Sequence, residues 1–186
     1  MPDHRYGIES LCLHAGQQPD AVTGARAVPI HQTTSFVFDS PEHAASLFNL
    51  ATFGNVYSRI SNPTVAVFEE RMAALEGGRA ALATASGLAA QMTALLTLCR
   101  AGDEIVAART LYGGSYSQLD VSLRRLGIVT HFVDADDPAA FAAAINERTR
   151  AVYGEIIGNP GLNVLDIGAL AEVAHAAGVP LIVDST

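Results

Sequence analysis

Residues 104–133 read EIVAARTLYGGSYSQLDVSLRRLGIVTHFV. Two short apolar runs, 104–108 and 128–133, flank a segment in which Tyr116, Leu119, Leu123 and Leu126 recur at helical spacing until Gly127 stops it. A strand, an amphipathic helix and a second strand in that order form the unit from which parallel sheets are built. The same alternation continues on both sides. Further strands are expected at 79–84 (RAALAT), 150–154 (RAVYG) and 180–184 (PLIVD). Ser86 caps a helix after the first of these, Pro138 opens another, and Ile167, Leu170 and Ala174 mark a last one that ends before Gly178 and Pro180. Near-continuous apolar strands need cover on both faces, so the fold class is α/β with a mainly parallel sheet between helices.

Upstream the pattern is looser. SFVFDSPEHAASLF (35–48) predicts a short strand and a Pro-initiated helix near 41–50, followed by a Gly-containing loop. Asn62 then caps a helix with Pro63 at its first position; Val65, Phe68, Met72 and Leu75 form its stripe, and Gly77-Gly78 ends it. Residues 1–61 therefore read as an arm, and 62–186 as the first part of an α/β binding domain. The last residues, Asp184-Ser185-Thr186, directly follow a strand, where ligands of open α/β sheets lie. The expectation is a sequence that continues further or depends on another polypeptide.

Composition narrows the function. With 186 residues, 49% hydrophobic, 16% charged and a net charge of -8, the chain has the makings of one folded domain rather than a disordered one. An acidic balance and no Trp argue against a nucleic-acid partner. All 11 basic residues are Arg. Without Lys there is no Walker A loop and no lysine Schiff base within these residues. Cys12 and Cys99 stand in no metal or redox spacing, which suggests a reduced, cytoplasmic protein. MPDHRYGIES lacks the apolar core of a signal peptide, and the uncharged run between Arg79 and Arg100 is too polar for a membrane span.

No GxGxxG follows a strand and no GxSxG elbow is present. The six histidines (4, 14, 31, 43, 131 and 175) show no metal-ligand spacing and read as surface or hydrogen-bonded residues; Glu69-Glu70 reads as a solvated helix face. More informative is Thr84-Ala85-Ser86-Gly87-Leu88, small residues delivering the chain into a helix N-terminus. There the unpaired N–H groups attract an anion, and Gly87 permits close backbone approach. A plain Ser cap is the simpler alternative. In YSRISNPT (57–64), Arg59 offers a bidentate phosphate donor and Tyr57 a hydroxyl on the same side of an extended segment. A surface ion pair and a packed ring are the alternatives.

YSRISNPT, EGGRAALATASGLAAQ (76–91), TLYGGSY (110–116), GNPGLNVLDI (158–167) and LIVDST (181–186) together resemble the Cys/Met-metabolism family of pyridoxal-phosphate enzymes, in order and along almost the whole chain. LCLHAGQQPD and PIHQTTSFVFDS, with Gly-Asn-Pro at 158–160, are most similar to its O-acetylhomoserine sulfhydrylase branch. Gly114 stands where methionine γ-lyases carry a Cys. The resemblance implies the large domain of a fold-type I PLP-dependent transferase, the aspartate aminotransferase type, with pyridoxal 5'-phosphate as cofactor.

Carried over residue by residue, the resemblance gives roles. Ser86, Gly87 and Leu88 would hold the cofactor phosphate, and Tyr57 and Arg59 would reach it from a neighbouring subunit. Tyr112 would stack on the pyridine ring, and Asp184 would pair with the ring nitrogen; these two are the catalytic residues. Glu155 and Asn159 would lie near the ring. The family reaction would replace acetate on O-acetyl-L-homoserine by sulfide or methanethiol, in a homotetramer with shared sites. Family members are longer, with the Schiff-base lysine after the Asp-x-Thr segment, so this chain alone is expected to be inactive. Two alternatives stay open: a cystathionine γ-synthase or γ-lyase type of enzyme, and a non-catalytic truncated paralogue that acts as an assembly partner.

Overall fold

The computed structural model describes residues 6–186; of the six histidines, His4 lies outside them. Two compact units divide the chain, one ending at Ala83 and the other running from Thr84 to Thr186.

The second unit contains the sheet. Its strands are β1 (Glu104–Ala108), β2 (Val129–Val133), β3 (Thr149–Glu155) and β4 (Leu181–Asp184). All pair in parallel, in the order β2-β1-β3-β4. Strands 104–108, 128–133, 150–154 and 180–184 thus form where the apolar runs predict them, within one residue at each end. Every residue of β1 is buried, which requires cover on both faces because successive side chains alternate between them. Helix α4 (Gly87–Leu98) packs with α5 (Gly113–Ser117), which leads through a π-helical turn, Gln118–Ser122, into α6 (Leu123–Arg125). Helix α7 (Pro138–Ala144) packs with α8 (Ile167–Ala176). Right-handed crossovers place these two groups on opposite faces, because β1 connects towards β2 and β3 connects towards β4.

Leu95, Ile105, Leu119, Leu123, Phe141, Val152 and Leu170 are sealed from solvent in this core. Each such side chain contributes roughly 1.5–3 kcal/mol by burial. Leu119 and Leu123 of the expected stripe are buried, whereas Tyr116 and Leu126 are exposed, the Tyr116 ring stacked on Phe132 with centroids 4.3 Å apart. Asp137 and Asp166 cap α7 and α8, accepting backbone N–H bonds. Gly127 ends α6 at φ +80, where a Cβ would approach the Ala101 side chain to 3.0 Å.

At the amino ends of the strands, Glu104 is buried and accepts hydrogen bonds from His131 Nε2 and Asn146 Nδ2, each at 2.7 Å, and pairs with Arg148. Arg150 pairs with Asp103 at 3.1 Å. The two cysteines are free, Cys12 exposed and Cys99 buried. Among the described residues no helix is long and apolar enough to cross a membrane, and no cluster of metal-ligating side chains occurs.

The first unit contains α1 (Ile8–His14), α2 (Pro41–Phe48) and α3 (Pro63–Leu75). Helix α1 packs on α3; Arg71 donates to Ala15 O and Gln17 Oε1, both at 3.1 Å. Gly16, at φ +70, is required here: a Cβ would stand 2.7 Å from Glu70 Cβ. Asn62 caps α3 as expected, its Oδ1 accepting from Thr64 N, while its Nδ2 donates to His31 O.

Five expectations need correction. Residues 79–84 are not a strand: the segment is largely exposed and finds no ladder partner, its Ala83 N–H going instead to Glu69 Oε1 at 2.7 Å. That bond also means Glu69 is not simply a solvated acid. The strand expected after Ser35 shrinks to one antiparallel bridge, Ser35 to Tyr57, and Val37 is exposed. The stripe on α3 is not a buried seam, since Val65 and Phe68 are both exposed and the helix has no buried residue. Residues 57–60 form a turn, with Ile60 N donating to Tyr57 O at 2.8 Å, rather than an extended segment.

Candidate functional site

Open parallel sheets bind ligands beyond the carboxyl ends of their strands, at the point where connections leave adjacent strands in opposite directions. That point here lies between β1 and β3. Four of the expected site residues follow or end strands at this edge. Tyr112 comes four residues after β1 and starts α5, Glu155 ends β3, Asn159 lies in the turn beyond it, and Asp184 ends β4.

The structure links several of them directly. Glu155 Oε1 accepts the Tyr112 backbone N–H at 2.8 Å. Glu155 and Asp184 are register partners across β3 and β4, so their side chains leave the same face. Burial, and then the Asp184 charge, push the Glu155 carboxyl above its ordinary value, while the Tyr112 N–H and the Ser115 hydroxyl pull it back. Asp184 Oδ1 accepts from the Thr186 backbone N–H at 2.9 Å and from its hydroxyl. Tyr112 itself is 55% exposed, its ring open to a ligand.

Gly114 explains how that ring sits. A Cβ at this position would stand 2.5 Å from Tyr112 Cε1 and 3.1 Å from Cδ1. The ring lies over the bare backbone, and any side chain there would displace it. Gly158 has a comparable role across the crevice. Its own Cβ would meet Asn163 Oδ1 and lie 2.6 Å from Thr110 Oγ1, so the loops after β1 and β3 touch only because it is glycine. Asn159, the next residue, is exposed.

The residues expected to hold a phosphate lie at the N-terminus of α4. Ser86 caps it, its Oγ accepting from Ala89 N at 3.2 Å. The backbone N–H groups of Gly87 and Leu88 have no acceptor among the described residues, and a Cβ on Gly87 would meet nothing within 4 Å. Two free donors, a helix dipole and open space fit a phosphate. Gln118 Nε2 donates to Leu88 O at 3.1 Å, tying this turn to the π-helical segment. An anion cradle, an exposed aromatic ring and a carboxylate on one face of the sheet fit a phosphorylated pyridine cofactor.

Tyr57 and Arg59 belong to the first unit. The Arg59 guanidinium lies over the Tyr57 ring, 5.3 Å from its centroid, and both side chains are exposed. The turn brings them together even though the segment is not extended.

The sequence profile of the Cys/Met metabolism PLP-dependent enzymes matches residues 9–186. The chain belongs to this family. O-acetyl-L-homoserine sulfhydrylase of Leptospira meyeri is 56% identical over 178 residues, 96% of this chain and 40% of that one. Homocysteine synthase of Schizosaccharomyces pombe is 57% identical over the full chain and 43% of its own length. The chain thus spans less than half the length of these curated relatives. Among solved family structures, an O-acetylhomoserine (thiol)-lyase of Campylobacter jejuni, with a pyridoxyl-lysine 5'-monophosphate, superposes with a TM-score of 0.94 at 34% identity. It is matched over 98% of this chain and 45% of that one. A cystathionine gamma-lyase of Lactobacillus plantarum, complexed with L-serine, gives 0.87 at 37% identity, over 97% of this chain and 45% of that one. The fold is that of the fold-type I PLP-dependent transferases, as the motifs predict.

Sequence reading did not single out Tyr153, whose hydroxyl meets Gln91 and interacts with Asp184, or Ser115, whose hydroxyl interacts with Glu155. Tyr153 stands two residues before Glu155, a spacing that places both on one side of β3.

Proposed function

We propose that the chain is the N-terminal portion of a cytoplasmic O-acetyl-L-homoserine sulfhydrylase that uses pyridoxal 5'-phosphate to replace acetate with sulfide or methanethiol. The observation that carries this reading is the gathering of Tyr112, Glu155 and Asp184 at one sheet edge, in a family member whose relatives named above include an O-acetyl-L-homoserine sulfhydrylase and a homocysteine synthase. Bound pyridoxal phosphate supplies an electron sink for a substrate carbanion. In this chain, Ser86, Gly87 and Leu88 hold the phosphate by backbone donors and a capped helix end. Tyr112 packs a ring face against the cofactor, and the Asp184 carboxylate keeps a proton on the pyridine nitrogen. Glu155 orients Tyr112, and Asn159 lines the rim.

Residues 1–61 act as an arm to a neighbouring subunit, with Tyr57 and Arg59 completing that subunit's phosphate site in a homotetramer. The chain has no Lys, so it does not turn over by itself.

The test is a hybrid in which this segment is continued by the remaining length of the Leptospira meyeri sulfhydrylase. It should form homocysteine from O-acetyl-L-homoserine and sulfide, whereas the 186-residue chain should not. A folded, cofactor-loaded hybrid that accepts cysteine but not sulfide would replace this reading with cystathionine synthesis.

A further inference from the structure

Beneath the strand tips lies a buried polar contact that none of the roles above uses. Tyr153, 1% exposed, places its hydroxyl 3.0 Å from Gln91 Oε1, and the same hydroxyl also interacts with Ser115 and with the Asp184 carboxylate. Gln91 is itself buried, and its Nε2 has no partner among the described residues. Such orphaned donors are rare in native proteins, and an apolar pair would extend the core at Tyr153 without leaving one. The contact therefore calls for a reason beyond packing.

Its position supplies that reason. Gln91 is one helical turn beyond Gly87, on the same side of α4. Tyr153 is one strand repeat before Glu155, and its register partner Ile182 is one repeat before Asp184. The bond thus joins the helix that carries the two free N–H donors to the strand pair that carries the two carboxylates. Tyr112 is tied to the same strand through Glu155. We infer that Gln91 and Tyr153 are positioning residues of the cofactor site, their bond fixing the anion cradle of α4 relative to the carboxylates at the ends of β3 and β4. This rests on the reading of the site given above. The ligand class is one that has to engage both ends at once, a phosphate ester bearing a basic heteroaromatic ring. A simple anion engages only the cradle.

That difference gives a test with the 186-residue chain itself, comparing equilibrium dialysis of pyridoxal phosphate with phosphorus NMR titration of inorganic phosphate. Tyr153→Phe and Gln91→Leu should each weaken pyridoxal phosphate binding about five- to tenfold, the scale of one buried hydrogen bond. Phosphate binding should stay within about twofold, and the double variant should be no worse than Tyr153→Phe alone, because that variant already lacks the contact with Gln91. Equal losses for both ligands, or unchanged pyridoxal phosphate binding in Tyr153→Phe, would overturn the positioning role and leave the site reading intact. If the unmodified chain takes up no pyridoxal phosphate, the site reading itself fails, and this inference fails with it.

Discussion

The carboxylate of Glu155 holds the backbone N–H of Tyr112 at 2.8 Å, joining the end of β3 to the residue that opens α5. The two are 43 residues apart in the chain, and their contact crosses the topological switch between β1 and β3. An aromatic ring that is 55% exposed is thus carried on a backbone fixed from below. Glu155→Ala would leave the Tyr112 donor without this acceptor, at a cost of about 1–3 kcal/mol. Amide hydrogen exchange at Tyr112 should accelerate in that variant, and unchanged protection would show that the loop is held by other contacts.

The carboxyls of Glu155 and Glu104 should respond to pH in opposite directions. Burial raises Glu155 above its ordinary 4.5, so its contribution to stability is present below that value and is lost as pH rises through the raised one. Glu104 is held below 4.5, chiefly by the Asn146 amide with help from His131 and Arg148; its contribution is present above 4.5 and is lost as pH falls through the lowered value. In urea unfolding, the stability advantage of the native chain over Glu104→Gln should therefore shrink on acidification. Its advantage over Glu155→Gln should shrink as pH rises. Parallel trends for the two variants would contradict these assignments.

Gly114→Ala should rotate the Tyr112 ring away, because the added Cβ would lie 2.5 Å from Cε1. The ring is free to move, so the melting temperature should shift little. The near-ultraviolet circular dichroism of the tyrosines should change, and pyridoxal phosphate binding should weaken. An unaltered spectrum with unaltered binding would show that the ring's place over Gly114 has no bearing on the site.

Ser86→Ala removes the side-chain cap of α4, which accepts from Ala89 N. A loss of about 1 kcal/mol in unfolding free energy is expected from the cap alone. Pyridoxal phosphate affinity should fall as well, as the first turn frays. A stability loss with undiminished affinity would separate the cap from the cradle.

Arg59→Ala, made in the hybrid enzyme, should raise the cofactor concentration needed for activity. Co-refolding it with an Asp184→Ala hybrid should restore part of the activity if Arg59 serves a neighbouring subunit's site. Absence of rescue would place Arg59 outside a shared site.

Much of this arrangement is legible in the sequence because burial on both faces leaves a strong mark. EIVAA (104–108) and LIVD (181–184) are apolar runs bounded by turns or helices, and they form parallel strands where expected. Asp184 stands out as an acid at the end of such a run, and Ser86 as a hydroxyl before a helix. RAALAT (79–84) has the same local pattern and forms no strand, since pairing depends on a neighbour that local sequence does not reveal. Helix α1 is hidden for a related reason: it is one of the shorter helices and has no side-chain cap, and its packing on α3 depends on Arg71 and Gly16, far apart in the chain. Tyr153 and Gln91, 62 residues apart, look like ordinary strand and helix residues until the fold brings them into contact.

The most direct measurement is the visible circular dichroism of the 186-residue chain titrated with pyridoxal phosphate. A bound cofactor held asymmetrically by the α4 N-terminus, Tyr112 and Asp184 should give a saturable signal. Asp184→Ala and Gly87→Glu should each abolish it, one by removing the carboxylate and the other by placing an anion in the cradle. No signal in the native chain, or the same signal in both variants, would contradict a cofactor site at these strand tips.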